Sequence, residues 1–232
     1  MAQNHLILPQ ATITYPEPLP KEQHLLVLGG RPPTLSWLRE VSLQRILWAV
    51  DHGVDVCQRA DVPPRYLLGD RDSASQDAWE WGAARGIPAS TYPPEKDLTD
   101  TQLALEKLPQ DGFALITGAF GGRFDHAFAN IFSCAHAQTP CCLADEREIL
   151  LFLKGAMELY IACKKQPQAV SLLPVTEECL GVTIENVHWP LKNALLRQCT
   201  PTAVSNVPEK GAGIPVSIRG GILGVYLHYG KG

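Results

Sequence analysis

The sequence predicts an α/β domain built on a parallel sheet over residues 22–147, followed by an antiparallel β-sandwich domain over residues 148–232. Two observations support this division. In the first half, short apolar runs alternate with helical patterns, which is typical of a buried parallel sheet. In the second half, short β-rich segments are separated by turn residues and no helical repeat continues, which favours an antiparallel sandwich.

The first domain is predicted to be a Rossmann-like sheet with helices between its strands. Its strands are the apolar runs Leu25–Leu28, Ile46–Val50, Arg65–Leu68, Phe113–Thr117 and Cys141–Ala144. Its helices cover Thr34–Val41, Gly53–Arg59, Gln76–Arg85, Thr99–Leu108 and Phe124–Ala137. We expect Asp97 to cap the fourth helix, with Asp100 in its first turn. Ligands of such sheets lie beyond the carboxyl ends of the strands.

The second half carries six predicted strands and no strong helical pattern. These strands are Ile149–Leu153, Glu158–Cys163, Ala169–Pro174, Gly181–Val187, Pro215–Ile218 and Ile222–Tyr229. Gly220 and Gly221 are expected to join the last two as a two-residue hairpin loop. The first twenty or so residues are broken by Pro9, Pro16, Pro18 and Pro20 and are expected to form a loosely ordered leader.

The overall composition limits the class of protein. A net charge of −4 argues against binding nucleic acid through a broad basic surface, although phosphate ligands remain compatible when Mg²⁺ supplies positive charge. No apolar stretch approaches the roughly 20 residues that span a bilayer, so we expect no membrane association. The seven cysteines form no CxxC pair, which predicts buried reduced thiols in a cytoplasmic protein.

Acidic residues cluster where the predicted strands end. Asp51 follows one strand, Asp70 and Asp72 follow the next, and Asp97 and Asp100 open a helix. Carboxylates two apart in an extended segment point the same way and can address one cation. Each cluster alone also suits a capped turn. Together with Asp125, however, these carboxylates would repel one another without a counter-ion, which favours a divalent metal.

A glycine-rich loop is the second predicted component of the site. Gly118, Gly121 and Gly122 precede Arg123 and a helix, an arrangement in which backbone N–H groups and a guanidinium can hold phosphate. A packing turn is the alternative. The chain lacks both the P-loop and the GxGxxG fingerprint, so this is a different phosphate-binding loop. Lys96 is a further phosphate-binding candidate, and His126 is either an acid–base group or a structural histidine.

The order of these motifs resembles that of the thiamine pyrophosphokinase family. The resemblance covers about residues 25–230 and is carried by the following motifs: Asp51-x-Gly53, Gly69-Asp70-x-Asp72-Ser73, Lys96-Asp97-x-Thr99-Asp100, Gly121-Gly122-Arg123-x-Asp125-His126, Ser171-Leu-Leu-Pro174, Trp189-Pro190-Leu191, Ser205-Asn206 and Gly220-Gly221. It implies an enzyme that transfers the pyrophosphoryl group of ATP to the hydroxyl of thiamine and releases AMP. It also implies Mg²⁺ dependence and a homodimer with the active site near the subunit interface.

The resemblance assigns roles to residues by motif. It implies that Asp70, Asp72, Asp97 and Asp100 hold Mg²⁺ and the ATP phosphates, with Arg123 completing the catalytic set. The residues implied on the nucleotide side are Asp51, Gly53, Ser73, Lys96, Thr99, Gly121, Gly122, Asp125 and His126. Those implied toward thiamine are Trp189, Ser205 and Asn206. Three positions depart from the family's usual pattern, namely His52, Arg71 and Glu95.

Two other functions fit the same motifs. One is a pyrophosphokinase for another small heterocyclic alcohol, such as a pterin, because its first domain would look much the same. The other is a non-catalytic nucleotide- or thiamine-binding protein. Loss of a metal carboxylate would favour the second, and all four are present in the sequence.

Overall fold

A computed structural model describes residues 4–69, 74–91 and 97–230 of the chain. They form two compact units. One unit is Pro20–Asp145, and the other combines the chain up to Leu19 with the chain from Glu146 onward. No helix in the described part of the chain is long and apolar enough to cross a membrane.

The described residues form fifteen strands and five helices. In chain order the strands are β1 (His5–Ile7), β2 (Ala11–Thr14), β3 (Gln23–Val27), β4 (Ile46–Val50), β5 (Tyr66–Leu68), β6 (Ala89–Ser90), β7 (Phe113–Thr117), β8 (Cys141–Ala144), β9 (Glu148–Lys154), β10 (Met157–Cys163), β11 (Ala169–Pro174), β12 (Glu178–Ile184), β13 (Leu191–Arg197), β14 (Ile214–Ile218) and β15 (Ile222–His228). The helices are α1 (Leu35–Ser42), α2 (Gly53–Ala60), α3 (Gln76–Ala84), α4 (Asp100–Lys107) and α5 (Phe124–His136).

The unit Pro20–Asp145 is built on a parallel sheet. Its strand order is β8-β7-β3-β4-β5-β6, and every neighbouring pair is parallel. The chain runs outward from β3 through β4, β5 and β6 and then returns to place β7 on the other side of β3. This reversal makes the β3–β7 boundary the topological switch point, where the crevice of such a sheet lies.

The core of this unit consists of the strands that the apolar runs predicted. Leu25 and Leu26 on β3 and Leu115 and Ile116 on β7 are fully buried. Ile46–Val50, Phe113–Thr117 and Cys141–Ala144 have the predicted bounds, and the five predicted helices form within one or two residues of their predicted ends. The sequence did not indicate β6, a two-residue strand too short to show periodicity.

The expected cap of the fourth helix is wrong. Thr99, not Asp97, is the N-cap of α4: its Oγ1 accepts a hydrogen bond from Gln102 N, while Gln102 Oε1 accepts one from Thr99 N at 2.9 Å. This reciprocal capping box satisfies two backbone donors at once, which a lone aspartate does not do. Asp100 is in the first turn, as expected.

The other unit contains two antiparallel arrays of strands. One has the order β1-β2-β10-β14-β12-β13, and the other consists of β11, β15 and β9 in that order. The predicted strand Ala169–Pro174 has its predicted bounds, whereas β13 was not predicted. Four of the seven residues of β13 are exposed, so the sequence contains no apolar run from which this strand could be predicted.

The expectation of a loosely ordered leader is wrong. Residues 5–14 form a hairpin that pairs with β10, with Thr14 opposite Tyr160 and Ile13 opposite Ile161. Pro9 lies in the two-residue loop of this hairpin, next to the backbone hydrogen bond that Leu8 N donates to Ala11 O at 2.9 Å. Proline is favoured there because its fixed φ suits the turn, so this proline makes the hairpin rather than breaking it.

The predicted Gly220–Gly221 hairpin is also wrong. β14 pairs with β10 and β12, whereas β15 pairs with β11 and β9, so the two glycines carry the chain from one array to the other. Gly220 O accepts from Leu180 N at 2.9 Å, and Gly221 O accepts from Gly155 N at 3.0 Å. Each glycine therefore bonds to a different neighbour instead of closing a turn.

The cysteines are reduced but not uniformly buried. All seven lie in the described part of the chain and none forms a disulfide; Cys163 is half-buried and Cys199 is exposed, contrary to the expectation of buried thiols. Burial raises the pKa of Cys57 to about 12. A thiol with this pKa stays protonated near neutral pH and is therefore unreactive.

The N-terminal hairpin should contribute measurably to stability. Leu6 is fully buried, whereas its neighbour Ile7 is 51% exposed. Leu6→Ala should lower the free energy of unfolding by about 2–4 kcal/mol, because it leaves a cavity in the core. The matched control Ile7→Ala should lower it by less than about 1 kcal/mol. Urea unfolding measures both, and equal small losses would show that the hairpin is dispensable.

Candidate functional site

The loops that follow β3 and β7 are joined by backbone hydrogen bonds. Leu28 N donates to Thr117 O at 2.8 Å, and Gly30 N donates to Gly118 O at 2.8 Å. Arg31 N then donates to Phe120 O at 2.7 Å. The pairing of the two strands is thus extended past their carboxyl ends, which holds both loops in one position.

Glycine is required where these loops meet. A Cβ on Gly30 would overlap the carbonyl oxygen of Gly118, and a Cβ on Gly118 would overlap that of Leu28. Gly118 also has φ +69°, in the left-handed region that side chains other than glycine rarely adopt. Only glycine therefore allows this close approach of backbones.

An ion pair supports the same loops from the interior. Asp145 is 1% exposed in its side chain and accepts from Arg31 Nε at 3.1 Å and Arg31 Nη2 at 2.5 Å. The Arg31 guanidinium also lies 6.0 Å from the centre of the Phe120 ring. Arg31 and Asp145 were not predicted, because residues this far apart in the sequence give no local pattern.

A cavity of about 360 Å³ opens beside these loops. Six residues predicted for the site line it: Asp51, Asp100, Gly121, Gly122, Arg123 and His126. Its volume is in the range of small-molecule sites, roughly 300–1,000 Å³. The structure thus brings together side chains from β4, α4 and α5 at the switch point of the sheet.

The carboxylates of the cavity come from two elements. Asp51 directly follows β4 with φ +50°, and its N–H donates to Leu68 O at 2.9 Å. Asp100 is half-buried in the first turn of α4. Both supply the hard oxygen ligands that Mg²⁺ prefers. This chemistry fits the predicted magnesium site.

Part of the predicted site lies outside the described residues, namely Asp70, Arg71, Asp72, Ser73 and Lys96. Asp97 is exposed and does not line the cavity. Within residues 4–69, 74–91 and 97–230, no three His, Cys, Asp or Glu side chains are grouped so that they could hold a metal ion.

Arg123 lies at the entrance of the cavity and pairs with Asp125. Its Nε and Nη2 donate to the two Asp125 carboxylate oxygens at 3.1 and 2.5 Å, and its side chain is 75% exposed. These hydrogen bonds raise the pKa of Arg123 and lower the pKa of Asp125. Asp125 thus orients the guanidinium at the entrance without itself lining the cavity.

Gly53 and Thr99, which were also predicted for the site, do not line the cavity. Gly53 is buried at the start of α2, where a Cβ would overlap the carbonyl oxygen of Val27. Thr99 caps α4 and does not line the cavity. His52 lines it, and its Nδ1 lies 3.7 Å from Asp55 Oδ2.

The sequence reasoning missed two polar residues of the cavity. Thr101 on α4 and Asn130 on α5 both line it, and each is only 8% exposed. A signal for Asn130 was available, since it follows His126 by four residues and therefore lies on the same helix face. For Thr101, no such signal separates it from an ordinary helix residue.

A second cavity, of about 500 Å³, lies in the other unit. Trp189 and Asn206 line it with a largely aliphatic wall that includes Val170, Leu172 and Leu191. Asn206 Oδ1 accepts from Trp189 N at 3.0 Å, and Asn206 Nδ2 donates to Trp189 O at 2.7 Å. The amide thereby fixes the backbone that carries a 59% exposed indole.

Ser205, which was predicted toward thiamine, lies next to Asn206 in the sequence and contacts Ser171. It does not line the second cavity, and its N–H donates to Ser171 Oγ at 2.9 Å. Its φ of +60° directs the chain so that Asn206 pairs with Val170 through two backbone hydrogen bonds of 2.8 and 2.9 Å. Ser205 thus sets the position of Asn206.

The buried ion pair should be important for stability. Asp145→Ala should lower the free energy of unfolding by about 3–5 kcal/mol, because it leaves the Arg31 charge without its buried partner. The control Asp125→Ala removes an exposed pair and should leave unfolding unchanged. Thermal and urea unfolding measure both variants. Equal stability of the two would mean that the Arg31–Asp145 pair does not support the loops.

Comparison with known proteins gives the same family for both halves of the chain. Residues 38–143 match the family model described as thiamin pyrophosphokinase, catalytic domain. Residues 158–223 match the model described as thiamin pyrophosphokinase, vitamin B1 binding domain. The cavity beside the β3 and β7 loops lies in the first unit, and the cavity beside Trp189 lies in the second.

Individual relatives agree with the models. The thiamine pyrophosphokinase of Bacillus subtilis (strain 168) is 27% identical over 190 residues, covering 78% of this chain and 87% of that protein. The crystal structure of thiamine pyrophosphokinase from Bacillus subtilis gives a TM-score of 0.77 at 23% identity, covering 90% of this chain and 100% of the other. Thiamin pyrophosphokinase from Candida albicans gives 0.75 at 16% identity, covering 90% and 89%. These two structures share the fold. With both family models matched in order, the chain belongs to the thiamin pyrophosphokinase family.

Proposed function

We propose that this chain is a thiamine pyrophosphokinase, which transfers the pyrophosphoryl group of ATP to the hydroxyl of thiamine and yields thiamine diphosphate and AMP. The observation that carries the proposal is the cavity at the switch point of the parallel sheet. It combines two carboxylates, two glycines of a loop and an arginine, Arg123, in a chain that matches the family's catalytic model.

The cavity beside the β3 and β7 loops, which we call the nucleotide cavity, suits a polyphosphate. Gly121 and Gly122 present backbone without side chains, so phosphate oxygens can come close to the chain. The Arg123 guanidinium offers a planar set of donors, and the start of α5 next to it adds a favourable potential for anions. Charge on the transferring group is therefore stabilised by groups that are already in place, which is the main contribution of proteins to phosphoryl transfer.

We propose that Mg²⁺ is bound with ATP by Asp100 together with Asp70, Asp72 and Asp97, with Asp51 close by. When bound, the ion neutralises phosphate charge. This role is supported by the position of Asp100, which lines the cavity from the first turn of α4. One carboxylate of the cavity is proposed to orient the attacking hydroxyl and accept its proton.

The second cavity suits the thiamine rings. Trp189 offers an exposed flat face, and the wall beside it is aliphatic, which matches a ligand made of two flat heterocycles. Asn206 is joined by two hydrogen bonds to the backbone of Trp189, which keep the backbone that carries the indole in one position. We propose that Trp189 and Asn206 contact the substrate and that Ser205 positions Asn206.

We further propose a Rossmann-like catalytic domain over residues 22–147, a β-sandwich domain over residues 148–232, a cytoplasmic location and a homodimer with the active site near the subunit interface. The homodimer is supported by the exposed aromatic side chains of Phe124 and Phe128 on α5, the helix that carries Arg123 and His126. Sedimentation equilibrium tests the oligomeric state directly. A monomer at all concentrations would exclude the homodimer.

The reaction is tested by incubating the protein with ATP, Mg²⁺ and thiamine. AMP and thiamine diphosphate should appear in equal amounts. Release of ADP would contradict pyrophosphoryl transfer. Replacing thiamine by a pterin alcohol tests the related kinase, and binding of ATP and thiamine without any product would identify a non-catalytic binding protein.

Asp100→Asn should lower kcat by at least about a hundredfold, because it removes a carboxylate from the phosphate-binding cavity while keeping the side chain's shape. The thermal midpoint should not change. Asp111→Asn, at an exposed aspartate outside the cavity, is the matched control and should keep full activity. Activity of Asp100→Asn near that of the control would remove Asp100 from the site.

Asn206→Ala should raise KM for thiamine by about tenfold, because Trp189 loses the hydrogen bonds that fix its backbone. KM for ATP should remain unchanged. The exposed residue Lys192 provides a control through Lys192→Ala, which should leave both constants unchanged. An increase confined to KM for ATP would contradict the assignment of the second cavity to thiamine.

A further inference from the structure

The buried side of the nucleotide cavity contains two polar side chains. Asn130 and Thr101 are each only 8% exposed, and both line the cavity. In the described part of the chain, neither residue contributes a fully buried polar atom without a hydrogen-bond partner, so the Asn130 amide and the Thr101 hydroxyl open onto the cavity that they line. Polar groups that face a cavity can hydrogen-bond to the water or ligand that fills it.

A buried threonine outside the cavity provides the contrast. Thr139 is 1% exposed, and its Oγ1 donates to Pro109 O at 2.9 Å. The fold therefore satisfies this hydroxyl but leaves that of Thr101 turned to the cavity. A hydroxyl in this position can donate to or accept from a ligand in the cavity.

We propose that Asn130 and Thr101 bind the nucleotide by donating hydrogen bonds to its oxygens from the buried side of the cavity. This inference rests on the proposed function. Asp51 and Asp100 only accept hydrogen bonds when ionised, and so do phosphate oxygens, so the cavity needs donors. Arg123 supplies charged donors at the exposed entrance. Asn130 and Thr101 supply neutral ones where a buried, unpaired charge would be costly.

The two residues lie on different helices, so a nucleotide held by both bridges α4 and α5. His126 precedes Asn130 by one helical turn, and Asp100 directly precedes Thr101. The same two helix segments therefore carry the predicted site residues Asp100 and His126 as well as the proposed donors. Contact with the donors fixes the nucleotide relative to Asp100, which makes Asn130 and Thr101 positioning residues for the transfer.

Substitution by apolar residues of similar shape separates a binding role from a structural one. Asn130→Leu and Thr101→Val remove the polar groups that face the cavity and keep side chains of similar size, so the thermal midpoint of the ligand-free protein should stay nearly the same. The dissociation constant for ATP with Mg²⁺, measured by calorimetry, should rise about tenfold or more. Thr101→Ser keeps the hydroxyl and should restore ATP binding.

The control is Thr139→Val, which removes a satisfied hydroxyl. It should lower the thermal midpoint and leave ATP binding unchanged. The opposite pattern of Thr101→Val and Thr139→Val is the specific result expected here. A large loss of stability in Asn130→Leu and Thr101→Val, or ATP binding equal to that of the wild type, would overturn the inference.

Two further arms identify the contacted oxygen and separate this inference from the proposed function. If Asn130→Leu loses as much affinity for 2′-deoxy-ATP and 3′-deoxy-ATP as it does for ATP, the contact is to phosphate. If the loss of affinity disappears with one analogue, the contact is to the ribose hydroxyl that this analogue lacks. Failure of the wild type to form AMP and thiamine diphosphate would reject the proposed function; wild-type turnover with unchanged ATP affinity in both variants would reject the inference alone.

Discussion

The close approach of two backbones at the β3–β7 boundary is the constraint on which the site depends. Gly30 and Gly118 meet through a hydrogen bond at a distance that no side chain permits. Because this contact extends the sheet beyond its strands, the loop that leads to Arg123 begins from a fixed point. The buried Arg31–Asp145 pair supports the same loop from beneath. Rigid positioning of this kind is what phosphoryl transfer requires of a protein.

Strands with both faces buried could be predicted because their composition alone identifies them. Phe113–Thr117 is buried at every position, and its bounds were predicted correctly. The half-exposed β13 and the N-terminal hairpin lacked this signal. Pro9 was misleading, because proline can either break a strand or form a turn, and the choice depends on whether β10 is there to pair with. The Gly220–Gly221 error has the same origin, since local turn chemistry does not say which array each flanking strand joins.

The site was predictable where an aspartate or glycine follows a strand, and less so inside helices. Asp51, Asp100 and Arg123 line the cavity as their motifs suggested, whereas Asn130 and Thr101 are ordinary residues in sequence and become notable only through their burial. The Thr99 capping box shows that membership of a motif does not by itself identify a residue that lines the cavity. Thr99 belongs to the acidic motif, yet its hydroxyl accepts from the helix backbone, so a motif residue can act by placing its neighbour Asp100.

The pairing of Thr14 with Tyr160 affects how the molecule is made. During translation the first hairpin leaves the ribosome long before the strand that completes its sheet. Pro20–Asp145 is synthesised in between, as one continuous stretch with its own buried core. The nascent chain therefore carries an unfinished sheet edge while that stretch folds, and such edges tend to pair with other chains.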